Sequence, residues 1–227
     1  MKTQLPKSSI IQFYQDTQAL LPNQYIEMPH SKPKYIHPLS SDTSQTPEAI
    51  AEDIKNILES RHETLAAAES LTGGSLMAAI SSVDGSSAVF RGGMVTYATP
   101  LKHKLLGVDP EIIVDHGVIY GEVAREMAEG ARRATKVNDV ETTWGIATTG
   151  VAGKGWQDDK KPGTVYIGVA SEDGAESFGP FLFEPGREKV RKAAVKEALV
   201  RLREKLNQGG GSKVEGECLL VVCSSEI

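Results

Sequence analysis

The stretch Thr64-Leu65-Ala66-Ala67-Ala68-Glu69-Ser70-Leu71-Thr72-Gly73-Gly74-Ser75-Leu76-Met77-Ala78-Ala79-Ile80 decides the fold. It opens with a short apolar run, Thr64 to Ala68. It crosses a tight polar turn and leaves through a helix-like run that reaches about Ser82. Strand, turn, helix is a layout that exposes a side chain at the end of a sheet. The turn delivers two hydroxyls, Ser70 and Thr72. Gly73 and Gly74 let the backbone approach a ligand closely. Unpaired N–H groups at the start of the following helix favour an anion or a developing oxyanion. The turn therefore points to a serine nucleophile or an anion cradle. Alone, it is equally compatible with a plain helix cap formed by Ser70 and Thr72.

Upstream, Thr46-Pro47-Glu48 reads as a helix start: an N-cap, a proline at the first helical position and an acid at the positive helix end. Ile50, Ile54, Ile57 and Leu58 follow at helical spacing and face inward. Downstream, Met94–Ala98 reads as a second strand. Thr99-Pro100 repeats the cap-plus-proline device before a short helix that carries Lys102 and ends at Gly107. Short and longer helices are expected over Pro110–His116 and Glu122–Thr135, the latter with Val123, Met127 and Ala131 on one face. Trp144–Thr148 reads as a third strand running into a second glycine-rich loop, Thr149–Gly155. Gly163–Ala170 and Ser177–Phe183 read as a hairpin turned at Glu172-Asp173-Gly174. A last helix over Gly186–Leu206 buries Val195, Leu199, Leu202 and Leu206, and leaves Lys189, Lys192, Lys196 and Arg203 to solvent.

Strands alternating with helices predict a three-layer α/β/α sandwich around a largely parallel or mixed sheet of about five to six strands. Ligands then bind beyond the carboxyl ends of strands. The domain spans residues 46–208. Residues 1–45 are rich in Pro and Ser from Pro29 onward and read as a poorly ordered extension, with a short helix around Ser9 to Leu21. Residues 209–227 read as a glycine-rich linker and an apolar tail.

The chain has 227 residues, 40% of them hydrophobic and 24% charged, which suits one soluble globular domain with appendages. Its net charge of -5, with a pI near 5.6, argues against a nucleic-acid surface. No apolar run approaches a membrane span. No secretory pattern opens the chain, and an acid-poor start without arginine is a weak transit signal, so the cytoplasm is the expected location. Cys218 and Cys223 both lie in the tail, on opposite faces if that run is a strand. The main body therefore offers neither a disulfide scaffold nor a cysteine nucleophile.

Three loops begin at strand ends, after Ala68, Ala98 and Thr148. If they converge, Ser70, Tyr97, Lys102 and Thr149 share one cleft. The histidines at 30, 37, 62, 103 and 116 are scattered and form no triad with Ser70. A lysine replaces histidine as base in serine–lysine pairs. A desolvated lysine has its pKa lowered toward neutrality, which makes Lys102 the candidate, although an exposed helix lysine is the commoner case. Arg187 opens the last helix, where the dipole opposes a cation, and so suggests an anion to bind. Arg191, one turn later, is placed to join it.

These residues resemble the C-terminal domain of the CinA family, which includes the stand-alone nicotinamide-mononucleotide deamidases of the PncC type. The resemblance rests on Ala68-Glu69-Ser70-Leu71-Thr72-Gly73-Gly74, Gly85-Ser86-Ser87, Val95-Thr96-Tyr97, Lys102 with Leu106-Gly107-Val108, His116-Gly117, Thr149-Gly150-Val151-Ala152-Gly153 and Gly163-Thr164-Val165. The motifs occur in order, and the resemblance covers about Ala51 to Leu206. The resemblance implies hydrolysis of the carboxamide of nicotinamide mononucleotide, giving nicotinic acid mononucleotide and ammonia. It assigns Ser70 as nucleophile, Lys102 as its basic partner and Tyr97 as the tyrosine beside them. Thr149, Gly150 and Gly153 would line the substrate, with Thr72, Gly73, Gly74, Gly85 and Ser86 as further binding positions and Arg187 near the nucleotide. It implies a homo-oligomer with a small-molecule nucleotide as substrate and no metal or organic cofactor. Amides from Leu71 to Gly74 are the expected oxyanion donors.

The chain departs from the family pattern at Leu71, where a cysteine is usual, and at Tyr120, where a small residue is usual. Its loop Gly150-Val151-Ala152-Gly153-Lys154-Gly155-Trp156, closing through Lys161-Pro162-Gly163-Thr164, carries a tryptophan and is one residue shorter. Two other readings stay open on this evidence. One is a non-catalytic nucleotide-binding or scaffold module, and the other is a related amidase acting on another small amide.

Overall fold

The computed structural model describes residues 44–209. The expected helix in the N-terminal extension, the linker beyond Gly209 and both cysteines lie outside them. Twelve elements follow in order: α1 (Pro47–Ser60), β1 (Leu65–Glu69), α2 (Ser75–Ser81), a 3-10 turn (Ser86–Ala88), β2 (Phe90–Val95), α3 (Thr99–Leu106), α4 (Pro110–His116), α5 (Gly121–Ala134), β3 (Trp144–Gly150), β4 (Thr164–Ser171), β5 (Gly174–Leu182) and α6 (Arg187–Gly209).

The sheet order is β2-β1-β3-β4-β5. The first three strands are parallel, so their carboxyl ends meet on one side. β4 and β5 are antiparallel, forming the hairpin expected from the Glu172-Asp173-Gly174 turn. Five strands with helices on both faces make the expected mixed α/β sandwich. One core joins α1, α2 and α6 to the sheet through Ile50, Ile54, Leu76, Leu199 and Leu202. The second joins α3, α4 and α5 to the other face through Leu106, Ile113, Val123 and Met127.

Small residues bring α5 unusually close to the sheet. A Cβ on Gly168 would lie 2.0 Å from the Ala124 carbonyl oxygen, and one on Gly145 would lie 2.1 Å from that of Ala128. Thr46 caps α1 as expected, its side chain accepting from the Ala49 amide at 3.2 Å.

Several boundaries differ from the sequence reading. β2 begins at Phe90 rather than Met94 and ends at Val95, because Arg91-Gly92-Gly93 pairs along β1 without any apolar alternation to announce it. Thr99 is not a cap. Ala98 holds that position with no side-chain bond, and Thr99 is the first helical residue. β3 continues through Gly150 because its last residues pair with β4. β5 starts at Gly174, directly at the hairpin turn. Arg203 is half-buried and reaches Asp53 at 2.7 Å, tying α6 to α1. Among the described residues, no helix is long and apolar enough to cross a membrane.

Candidate active site

The carboxyl ends of β1, β2 and β3 enclose a cleft of about 350 Å³. Ser70 follows β1 directly, and its amide donates to the Thr148 carbonyl on β3 at 3.0 Å, which fixes the turn to the sheet. Lys102, in the first half of α3, is only 1% exposed. Its Nζ donates to the Thr96 carbonyl at 2.7 Å and to Ser70 Oγ at 3.2 Å. Burial strips water from the ammonium and lowers its pKa from 10.5 to about 8, while the charge of Asp158 opposes that shift. Serine hydroxyl and low-pKa amine are thus in hydrogen-bond contact.

Tyr97 is 55% exposed at the cleft rim. Its hydroxyl accepts from the Arg187 guanidinium at 2.6 Å. Arg187 makes no ion pair among the described residues, so its charge is available to a ligand. Thr149 Oγ1 donates to the Val118 carbonyl at 2.7 Å, which spends its proton on the wall. The cleft therefore brings together Ser70, Tyr97, Lys102, Thr149, Gly150, Gly153 and Arg187.

Five expected binding positions are not on its lining. Gly85 and Ser86 precede β2, at the amino end of the sheet, where Gly85 packs against the Lys55 side chain. A parallel strand separates them from the carboxyl end, so they do not reach the cleft. Thr72, Gly73 and Gly74 belong to the Ser70 turn but point their polar groups elsewhere. Thr72 Oγ1 bonds Thr148 Oγ1 at 2.7 Å. The Gly73 amide donates to the Ser70 carbonyl at 3.2 Å. The Gly74 amide donates to the Glu69 carboxylate at 2.8 Å. The amides of Leu71 and Thr72 make no hydrogen bond among the described residues, and of the two only Leu71 lines the cleft, so the expected oxyanion donors narrow to the Leu71 amide.

Arg191 does not pair with Arg187. It donates to the Thr72 carbonyl at 2.7 Å and to Ser75 Oγ at 2.8 Å, buttressing the turn from α6. Two acids also shape the site without having been singled out in the sequence. Glu69 is fully buried and accepts from the amides of Gly74, Leu76 and Met77. Its signal was an acid closing an otherwise apolar strand before a helix whose N-cap is a glycine. Asp158 accepts from the amides of Val118 and Ile119; nothing in its polar loop distinguished it from its neighbour. Trp156 and Gln157, in the same loop, line the cleft. Tyr120 stacks on His116, ring centroids 4.4 Å apart, and packs against the second core. No group of three or more His, Cys, Asp or Glu among the described residues is arranged to hold a metal ion.

The model of the CinA C-terminal domain matches residues 47–206 of this chain. The chain belongs to this family. It is 41% identical over 161 residues to a CinA-like protein of Cyanothece sp., and 42% identical over 165 residues to one of Synechocystis sp.. Those alignments take in 70% and 71% of this chain but only 37% and 38% of the two relatives, so the chain spans well under half of their length. Among solved structures, the competence/damage inducible protein CihA from Agrobacterium tumefaciens superposes with a TM-score of 0.65 at 30% identity. The superposition takes in 73% of this chain and all of that one. A CinA superfamily protein from Escherichia coli gives 0.66 at 27% identity, over 72% of this chain and 92% of that one. The CinA domain thus includes both the Ser70 turn and the Thr149–Thr164 loop that face each other across the cleft.

Proposed function

We propose that this CinA domain is an amidohydrolase that deamidates nicotinamide mononucleotide to nicotinic acid mononucleotide and ammonia. The observation that carries the reading is the 3.2 Å contact between Ser70 Oγ and a buried Lys102 whose pKa is lowered to about 8. At pH 7.5 roughly a quarter of such amines are neutral. A neutral Lys102 takes the Ser70 proton as Oγ attacks the carboxamide carbon. The oxyanion then meets the Leu71 amide. The protonated amine returns its proton to the departing nitrogen, so ammonia leaves and an ester remains on Ser70. Water, deprotonated by the same lysine, attacks that ester and frees the carboxylate and Ser70. The Arg187 guanidinium at the cleft mouth, which makes no ion pair among the described residues, suits a nucleotide phosphate.

One observation favours a different small amide. Trp156 and Gln157 come from the loop that departs from the family pattern, and both line the cleft. Ammonia release from purified protein, with nicotinamide mononucleotide beside a panel of small amides, decides between the two. The proposal expects release from the nucleotide and none after Ser70→Ala. Release only from other amides would select the second reading, and nucleotide binding without turnover would leave a non-catalytic module.

A further inference from the structure

The loop from β3 to β4 turns back on itself at residues 157–160. Gln157 and Lys160 exchange backbone hydrogen bonds at 3.0 and 2.8 Å, and both central residues have positive φ, 48° at Asp158 and 55° at Asp159. This is the geometry of a two-residue turn with both central residues left-handed. It throws the Asp158 side chain across to a neighbouring turn. There Oδ2 accepts from the Val118 amide at 2.7 Å and the Ile119 amide at 3.3 Å. Gly117 makes room for it: a Cβ there would lie 2.4 Å from Asp158 Cβ. Val118 in turn holds Thr149 through its carbonyl and lines the cleft. One carboxylate therefore joins the Trp156–Gln157 wall to the Val118–Thr149 wall.

We propose that Asp158 is a positioning residue for the reacting pair: its carboxylate latches the 151–163 loop onto the Gly117–Ile119 turn and stations one negative charge behind Val118, which lines the same cleft as Lys102. The role is supported by electrostatics as well as geometry. The Asp158 charge favours the Lys102 ammonium against the effect of burial. Tyr97 beyond β2 and Arg187 at the head of α6 line the same cleft, and the Glu69 carboxylate ahead of the Ser70 turn faces the α2 amides. Around Asp158 are His116 and Tyr120, on either side of the turn it caps, and Lys160, whose Nζ donates to the Asp158 carbonyl at 3.3 Å. The charge would stabilise the ammonium that forms when Lys102 takes the Ser70 proton and holds it for the leaving amine, a part that rests on the proposed hydrolysis. The latch does not depend on it.

Two variants separate charge from latch. Asp158→Asn keeps an oxygen that accepts from both amides but removes the charge, whereas Asp158→Ala removes both. Lysine ¹³Cε NMR, with the Lys102 signal assigned by its loss in Lys102→Met, reads the titration directly. Amide hydrogen exchange at Val118 and Ile119 reads the latch. The expected result is a Lys102 midpoint lowered by about half a pH unit or more in both variants, with exchange at Val118 and Ile119 accelerated about tenfold or more in the alanine variant alone. An unchanged midpoint in Asp158→Asn, or unchanged exchange in Asp158→Ala, overturns the proposal. Neither readout needs turnover, so both stand whether or not the nucleotide is a substrate. Exchange at Leu199 and Leu202, in the core on the other face of the sheet, shows that the variants remain folded.

Discussion

Lys102 has its ammonium held between one carbonyl and one hydroxyl, with almost no water to solvate it. The same side chain on an exposed helix would titrate near 10.5; here the midpoint falls to about 8. The working base is the neutral amine, and the lowered pKa makes it available at lower pH. kcat/KM is therefore expected to rise with pH through about 8 and then level off. A pH–rate profile checks this, and a limb near 10 would mean another base. Arg187 carries the matching prediction for the nucleotide end. Loss of a charged hydrogen bond to phosphate costs about 1.5–3 kcal/mol, so Arg187→Ala is expected to raise KM roughly ten- to hundredfold with kcat little changed. A steady-state comparison measures it. At this scale the sequence was informative where a residue type is chemically unusual for its place. Ser70 at a strand end and Lys102 on the short helix after the second strand were visible. Asp158 was not, because its role depends on two left-handed residues that aim it across the cleft.

The short helix α2 would not stand on its own sequence. It has seven residues, and its N-cap is Gly74, with φ 96° and no side chain to cap with. Glu69 does the capping from the preceding strand, with three amides on one buried carboxylate. That arrangement spends the helix-start amides on structure and leaves the Leu71 amide, which lines the cleft, without a hydrogen bond among the described residues. Glu69→Gln removes one acceptor oxygen and turns a donor toward amides that are themselves donors. It is expected to cost about 2 kcal/mol and to lower Tm by about 4–8 °C, measured by thermal unfolding, with activity falling because the same turn places Ser70. The element itself was legible from Ser75 to about Ser82, but its cap was not, since a capping acid six residues ahead of the helix falls outside local capping patterns. β2 failed for a related reason: Gly92 and Gly93 replace the apolar alternation that marks a strand with a close approach to β1.

Three parallel strands bring three loops to one side, and this arrangement assembles the cleft. The antiparallel hairpin extends the sheet and anchors the loop that closes over it. The layers hold together partly by the absence of side chains. Gly145 and Gly168 let α5 approach the sheet at backbone distance, and α5 follows the turn that Asp158 caps. Gly168→Val would drive a side chain into the Ala124 carbonyl; overpacking of this kind costs about 1–3 kcal/mol or more. A fall in Tm together with a rise in KM is expected from calorimetry and kinetics, because displacing α5 displaces the Val118–Thr149 wall. Class and layer order were legible from alternating strands and helices. The closeness of α5 was not, because a glycine in a strand does not announce what packs against it.

In the proposed reaction Ser70 attacks the carboxamide and carries an ester before water does. Partitioning with hydroxylamine tests it most directly, since hydroxylamine intercepts an acyl-enzyme and releases a hydroxamate in place of the acid. With nicotinamide mononucleotide as substrate, the account predicts hydroxamate that rises with hydroxylamine concentration in the wild type and is absent from Ser70→Ala. Ammonia release with no hydroxamate at any hydroxylamine concentration, or equal hydroxamate from Ser70→Ala, would contradict it.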